Sequence, residues 1–198
     1  MTPAKKAGAG SAAVIAAATS ILVIWEGTDL VAKKDMIGTG HPMTYCHGQT
    51  DEFGKVKEGQ RFTPAQCKDL LAKSLPKYLT PLQKCVTVEL PVKTMAALLD
   101  AAYNAGPAAV CRSPMVKKMN AGDMIGGCNA FEGWYIRSDG QVRRGLVARR
   151  SGLQGDKRVN EKQLCLQGWV EGVEKPKPPT FMEKLKLVIA KVKSWFGF

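Results

Sequence analysis

Residues 91–104 carry the sequence PVKTMAALLDAAYN, and this stretch decides the fold. Its larger apolar residues recur at the spacing of one helical face: Met95, Leu98, Leu99 and Ala102. We predict a helix over Pro91–Asn104 that lies buried at the centre of the protein. A chain of 198 residues, 45% of them apolar, is long enough to bury a core around such a helix.

Further helices are predicted on both sides of the central one. Thr63-Pro64-Ala65-Gln66 is typical of a helix start, with Thr63 as the N-cap and Gln66 at the third position, and this helix should end near Ser74. Shorter helices separated by glycine turns are predicted over 111–119, 122–134, 145–151 and 161–166.

Residues 26–50 differ from the helical part of the chain. They are rich in Gly, Thr and Asp and lack helical periodicity, which predicts a small lobe of strands and loops. The fold class is therefore α+β and mainly helical. No internal repeat is visible.

The net charge of +12 indicates an affinity for polyanions: nucleic acid, anionic lipid, or the polymers of a bacterial wall and outer membrane. Charge alone does not choose among them. There is no arginine-rich stretch interleaved with aromatic residues and no recognisable nucleic-acid motif, so we expect no nucleic-acid partner.

The chain contains six well-separated cysteines, at positions 46, 67, 85, 111, 128 and 165. No Cys-x-x-Cys pair is present, and His41 and His47 lack a set of zinc-binding partners around them, so we expect no metal site and no cofactor. An even number of cysteines suits disulfides in an oxidising compartment such as the periplasm. Six cysteines allow fifteen pairings, and spacing alone selects none of them. Reduced thiols in a cytosolic protein are the alternative.

The N-terminal sequence helps to decide whether the protein is exported to an oxidising compartment. Lys5 and Lys6 precede an uncharged run of 19 residues, Ala7–Trp25, which as a helix is just long enough to cross a bilayer core of about 30 Å. Twelve of the 19 are Ala, Gly, Ser or Thr, so insertion is only weakly favourable. We predict an uncleaved export helix over residues 1–25 that can leave the bilayer.

Two other interpretations of this run remain open. A cleaved signal peptide would use the small residues Ala16-Ala17-Ala18, but the strongest apolar block, Ile21–Ile24, comes after that site. An ordinary buried helix of a globular domain is the third interpretation.

The composition changes again after Gly168. Glu174–Pro179 is rich in Lys and Pro, so residues 169–179 are predicted to be a stiff linker that ends the domain at 168. Residues 180–198 place apolar side chains on one helical stripe: Phe181, Leu185, Val188, Ile189, Val192, Trp195 and Phe196. This basic amphipathic helix suits a membrane interface, and docking on the domain is the alternative.

Two carboxylates follow the apolar run. Glycoside cleavage needs one carboxyl group that keeps its proton and one that stays ionised. Glu26 follows Ile24 and Trp25, an apolar setting that suits the acid, whereas Asp35 lies in the cationic sequence Lys33-Lys34-Asp35, which favours ionisation.

The longer motif around these two carboxylates is more specific than the pair alone. Glu26, eight residues, Asp35, and then Thr44 before Tyr45-Cys46-His47-Gly48 resembles the phage lysozyme family (glycoside hydrolase family 24). Further matches follow in the family's order: Ala102–Gly106, Cys111–Ser113, Asn120–Asp123 and Gly145–Arg150. The weakly hydrophobic leader, residues 1–25, resembles the signal-arrest-release segment found in one branch of the endolysins of this family.

The resemblance implies a lysozyme-like fold of two lobes, with a β-hairpin lobe and a helical lobe around a central helix, over residues 26–168. It implies that the enzyme cuts the β(1→4) bond between N-acetylmuramic acid and N-acetylglucosamine in peptidoglycan. Glu26 would be the general acid, Asp35 the carboxylate that positions water, and Thr44 its hydroxyl partner.

The sequence departs from the family pattern at two places. Eight residues separate Asp35 from Thr44 where the family usually has five, so Thr39 competes with Thr44, which we prefer for the residues that follow it. The family's histidine after the turn glycine is Gln49 here.

The resemblance also suggests three disulfide pairings, Cys46 with Cys67, Cys85 with Cys111 and Cys128 with Cys165. Tyr103 and Asn104, at the end of the central helix, are the candidate substrate-binding residues, whereas Trp134 and Tyr135 are expected to fill the core.

The leader ends directly before Glu26, the implied general acid, which suggests that the position of the leader controls the activity of the enzyme. While the helix spans the inner membrane, Glu26 is held at the bilayer surface and the enzyme should be inactive. Collapse of the membrane potential would release the helix, which would dock and activate a monomeric enzyme in the periplasm. The C-terminal helix would bind anionic lipid or lipopolysaccharide. The rival function is a non-catalytic, membrane-anchored wall-binding or membrane-disrupting protein.

Overall fold

The computed structural model describes residues 10–36, 42–138 and 140–172. The first part of the chain forms a helix and a small sheet: α1 Ser11–Glu26, β1 Asp29–Lys34, β2 Met43–Cys46, β3 Gln49–Thr50 and a 3-10 helix, Asp51–Phe53. The rest is almost entirely helical: α2 Pro64–Ser74, α3 Pro76–Cys85, α4 Val92–Ala105, α5 Pro107–Cys111, α6 Pro114–Asn120, α7 Met124–Asn129, β4 Arg137–Ser138, β5 Gln141–Val142, α8 Arg144–Ser151 and α9 Glu161–Gly172.

Helix α4 lies at the centre of the helical lobe, as predicted. Eight of its residues are buried, Thr94 and the run from Ala96 to Ala102. It packs against α1 and α9, and also against α3 and α5. Small side chains on α4 allow this close approach from several sides, since alanines occupy four of the buried positions.

The β lobe has its own small core. Strands β1, β2 and β3 form an antiparallel sheet in sequence order, and β2 and β3 are joined by the turn at His47-Gly48. Ala32 and Tyr45 are buried with the disulfide between Cys46 and Cys67, and the Tyr45 ring stacks on Phe62 at 5.1 Å. The predicted two-lobe α+β architecture is confirmed.

Helix α1 belongs to the core of the helical lobe. Val14, Ala18, Ile21 and Leu22 are buried on the face that contacts α4. In the part of the chain that the structure describes, no helix has both the length and the apolar character needed to cross a membrane. The leader and the predicted catalytic domain are thus packed together in this conformation.

All three disulfides connect the cysteines that the family resemblance suggested. Cys46 is bonded to Cys67, Cys85 to Cys111, and Cys128 to Cys165. The sequence separations of 21, 26 and 37 residues place one bond in the β lobe and two in the helical lobe. Loops of these lengths restrict the unfolded chain enough to stabilise the fold by about 3–4 kcal/mol each in the loop-entropy treatment.

Several predicted helix boundaries are confirmed, because local signals set them. Thr63 and Gln66 form a full capping box at the start of α2, and Pro64 occupies the first turn. Helix α2 ends at Ser74 and α8 ends at Ser151, as expected.

Other predicted helix boundaries were wrong. The single helix predicted over 111–119 is two helices, because Ser113 caps a new one at Pro114. The helix predicted over 122–134 ends at Asn129, and turns follow it. Helix α3 was not predicted at all.

Helix α9 continues to Gly172, so residues 169–172, predicted as linker, are helical. The remainder of the predicted linker and the amphipathic segment 180–198 lie outside the described residues.

Candidate active site

Glu26 is the last residue of α1 and lies at the junction of the two lobes. Gly27 follows with φ 70°, a left-handed conformation that glycine adopts without strain, and the chain then enters β1. One oxygen of the Glu26 carboxylate accepts a hydrogen bond from Nη1 of Arg149 at 2.6 Å. The Glu26 side chain is 22% exposed, so the carboxylate is reachable from solvent while one of its oxygens is held.

The surroundings of Glu26 differ from the apolar setting we predicted. Ile24 is 45% exposed. The Trp25 indole donates to the carbonyl of Val159 at 2.9 Å, and the guanidinium of Arg158 covers its ring. Successive residues of a helix point in different directions, so sequence neighbours do not surround one another. A guanidinium faces Glu26 instead.

Arg149 joins Glu26 to the centre of the helical lobe. Its Nε and Nη2 each donate to a carboxylate oxygen of Asp100 at 3.0 Å, and Nη2 also donates to the Asp100 carbonyl at 3.3 Å. Burial lowers the pKa of the Arg149 guanidinium, but the carboxylates of Asp100 and Glu26 outweigh this and raise it above its ordinary value. Arg149 therefore stays charged.

Arg150, the next residue of α8, makes a second buried pair. Its Nη1 donates to Glu161 on α9 and its Nη2 donates to Oδ1 of Asn104 at 2.6 Å. The guanidinium also lies 5.1 Å from the centre of the Trp134 ring. Asn104, predicted to bind substrate, thus supports Arg150 through its side-chain oxygen.

Asp35 and Thr44 lie on neighbouring strands of the β lobe. Lys33 is paired with Thr44, and the Asp35 amide donates to the Pro42 carbonyl at 2.9 Å, so the β1–β2 ladder continues past Lys34. Residues two apart on a strand, and residues opposite one another, share a face of the sheet. Asp35 and Thr44 therefore share the face opposite to the buried Ala32 and Tyr45. Thr39 lies outside the described residues.

Tyr103 connects the two lobes next to Glu26. Its hydroxyl donates to the His47 carbonyl at 2.7 Å and accepts from Nε2 of Gln49 at 3.2 Å. The His47 ring nitrogen Nδ1 donates to the carbonyl of Gly27. Burial, followed by the charge of Glu26, raises the pKa of Tyr103 far above its ordinary value. Gln49, where the family has histidine, thus ties the turn of the β lobe to the central helix.

The residues that hold Glu26 were not predicted from the sequence. Asp100 is polar within an otherwise apolar helix face, and this is the signal that could have identified it. Arg149 and Arg150 were part of a recognised motif, but nothing local shows that they point inward. Among the described residues, no group of three or more His, Cys, Asp or Glu side chains could hold a metal ion.

Trp134 packs partly buried against the main core, as expected. Tyr135, also expected to fill the core, is 54% exposed and adopts φ 51°. That prediction was wrong for Tyr135.

The fold and the site together define a two-lobed, lysozyme-like protein with a partly exposed carboxylate, that of Glu26, at the junction of its lobes. The phage lysozyme family model matches residues 23–152. The chain is 35% identical over 143 residues to a protein named SAR-endolysin from Pseudomonas phage phiKMV, covering 70% of this chain and 84% of the relative. It is 30% identical over 143 residues to a protein of the same name from Enterobacteria phage PA-2, covering 72% and 78%.

A solved endolysin from Escherichia coli O157:H7 phage FAHEc1 superimposes with a TM-score of 0.63 at 25% identity, covering 76% of this chain and 90% of that one. The chain belongs to the phage lysozyme family.

Replacing Tyr103 with phenylalanine should weaken the contact between the lobes. The change leaves Gln49 Nε2 and the His47 carbonyl without their partner, so we expect the free energy of unfolding to fall by about 1–3 kcal/mol in urea denaturation. Tyr135→Phe, at an exposed hydroxyl, is the matched control and should leave stability unchanged. Equal stability of both variants would show that the Tyr103 hydroxyl does not hold the lobes together.

Proposed function

We propose that this protein is an endolysin that hydrolyses the β(1→4) bond between N-acetylmuramic acid and N-acetylglucosamine in peptidoglycan. Its membership of the phage lysozyme family and its likeness to named endolysins support a muramidase. They do not favour the rival, a non-catalytic protein that binds walls or disrupts membranes. The observation that carries the proposal is the position of Glu26, partly exposed at the junction of a helical lobe and a β lobe.

Each candidate residue has a role that fits its place. Glu26 would protonate the glycosidic oxygen of the leaving sugar, and Asp35 would hold the water that attacks the anomeric carbon. Thr44 shares the sheet face of Asp35 and would hydrogen-bond the same water. Tyr103 would act mainly by holding the two lobes together, since its hydroxyl donates to one group of the β lobe and accepts from another.

Removing the acid tests the enzyme directly. Glu26→Gln keeps the size of the side chain but cannot donate a carboxylic proton, so release of new reducing ends from purified peptidoglycan should fall at least about a hundredfold. Glu58→Gln, at an exposed carboxylate, should retain wild-type activity. Cleavage by Glu26→Gln at the wild-type rate would exclude this role, and products without new reducing ends would indicate a lytic transglycosylase or an amidase.

We further propose that the leader tethers the enzyme to the inner membrane in an inactive form and that release into the periplasm activates it. The names of the relatives support this. So does the structure of α1, whose final residue is Glu26: a helix that leaves the domain takes the acid away from Arg149. Collapse of the membrane potential would promote release.

The magnitudes are compatible with release. The six aliphatic residues of the leader favour membrane insertion by about 2–4 kcal/mol in total. In the docked helix, Val14, Ile21 and Leu22 are almost fully buried, which stabilises the docked state by on the order of 5–9 kcal/mol relative to exposure in water. Docking therefore competes with the bilayer for the same side chains.

The exposed face of α1 allows a specific test. Ala12 and Ala16 face solvent along the groove between α1 and α2, so Ala12→Leu/Ala16→Leu adds apolar area without disturbing the buried face. We expect more protein in the membrane fraction and delayed lysis, because each leucine favours insertion.

Ala12→Ser/Ala16→Ser is the control and should be released at least as readily as the wild type. Equal partitioning of the leucine and serine variants would contradict release by weak insertion.

Other partners remain proposals of the same kind. We propose that residues 180–198, which lie outside the described part of the chain, bind anionic lipid or lipopolysaccharide through their apolar stripe and lysines. The released enzyme would act as a monomer.

A further inference from the structure

The side chains behind Glu26 contain more acids than bases. Arg149 and Arg150 are paired with three carboxyl groups, those of Glu26, Asp100 and Glu161. The side chains of Asp100, Glu161 and Arg150 are fully buried, and Arg149 is 6% exposed. An uncompensated charge in such a place is strongly unfavourable, so the cluster is stable when its charges sum to zero. Two cations and three carboxyl groups sum to zero only if one proton is retained.

The contacts of Glu161 support a retained proton. Its Oε1 accepts from Arg150 and lies 3.5 Å from Nε of Arg149, whereas its buried Oε2 has no donor among the described residues. The side chain of Glu161 also interacts with that of Asp100, another acceptor, and this contact becomes a hydrogen bond only if a proton lies between them. Burial is the main cause that raises the pKa of Glu161 well above its usual range, and Asp100 adds to the effect.

We propose that Asp100 and Glu161 are positioning residues whose surplus carboxyl group lets the cluster share one proton with Glu26, so that Glu26 can hold it in the active enzyme. With the proton on Glu161 and Glu26 ionised, the charges cancel. With the proton on Glu26 and Glu161 ionised, they cancel again. Protonation of Glu26 therefore leaves no unpaired buried charge, although Arg149 lies directly against it. This inference rests on Glu26 being the catalytic acid.

Other titratable or charged groups lie around the cluster, and none of them is changed in the variants described below. Among the described residues these groups include Tyr103 of α4, Tyr78 of α3, His47 of the β2–β3 turn and Arg158 against Trp25. They also include Asp35, which follows β1 and which the proposed function places opposite Glu26. Burial raises the pKa of both tyrosines, so they stay neutral near pH 7. Arg158 is paired with Asp156 on the surface.

The Glu161→Gln variant removes one of the three carboxyl groups, so the cluster no longer has more carboxyl groups than guanidinium groups. In Glu161→Gln, two carboxyl groups face two guanidinium groups, and the charges cancel only when Glu26 is ionised. The alkaline limb of the pH profile of kcat/KM reports loss of the proton from the general acid. We expect this limb to move to lower pH by about one to two units, the effect of an unbalanced cation next to a carboxylate. Glu132→Gln, which removes an exposed carboxylate paired with Lys162, is the matched control and should leave the limb unmoved.

A second substitution, which removes the guanidinium group of Arg150, should restore the excess of one carboxyl group. In Glu161→Gln/Arg150→Met, Glu26 and Asp100 face Arg149 alone, so the charges again cancel with Glu26 protonated. The alkaline limb should return to within about half a pH unit of the wild-type position, a change well below the shift of the single variant. A purely structural role of Glu161 predicts no such recovery.

An infrared measurement checks the proton without using activity. Exposed carboxyl groups are ionised at pH 7, so the carbonyl band of a protonated carboxyl group reports the cluster. We expect the band in the wild type and in Glu132→Gln, and its loss in Glu161→Gln. A wild type without the band, a single variant with an unmoved limb, or a double variant that stays displaced would overturn the proposal. If no protein releases reducing ends from peptidoglycan, the proposed function fails, and the band still decides whether the cluster holds a proton.

Discussion

The ion pair between Glu26 and Arg149 connects the end of the N-terminal helix to the interior of the helical lobe. Arg149 is almost completely buried, and a buried guanidinium is tolerated only when carboxylates and hydrogen bonds compensate it. Asp100 supplies most of this compensation from the central helix, and Glu26 supplies the rest from α1. The candidate site therefore depends on three helices that are distant in sequence and are brought together by packing.

Helix α1 therefore contributes both to the core of the helical lobe and to the candidate site. Its inner face, with Val14, Ala18, Ile21 and Leu22, completes the core against α4. Its last residue, Glu26, pairs with Arg149, and the chain then turns at Gly27 into the strand that precedes Asp35. The His47 ring and Tyr103 fix the same junction from the side of the β lobe. A change in the position of α1 would therefore move Glu26 directly.

The parts of the fold that the sequence could predict are those with local signals. The central helix follows from apolar periodicity, and α2 begins directly after its N-cap, Thr63, because the capping box lies within four residues. Helix α3 was missed although Leu75, Leu79, Leu82 and Val86 are buried at helical spacing, because Pro76 and Pro81 are typical of loops. Pro76 occupies the first turn, where its missing N–H costs nothing, and the helix accommodates Pro81.

The site was predictable only in part. The spacing of Glu26, Asp35 and Thr44 selected the candidate catalytic residues, which remain a proposal, and the family pattern identified the disulfide pairs. Asp100 and Arg149 are 49 residues apart, and Arg149 and Glu26 are 123 apart, so no local pattern could show that they meet.

The most direct test of this account is the amide hydrogen exchange of α1 in the released, soluble protein. If α1 is part of the core and holds Glu26 against Arg149, the amides of residues 21–26 should be as well protected as those of α4 and should exchange only through global unfolding. Exchange of these amides orders of magnitude faster than those of α4 would mean that the helix is not held on the domain, and would contradict the account.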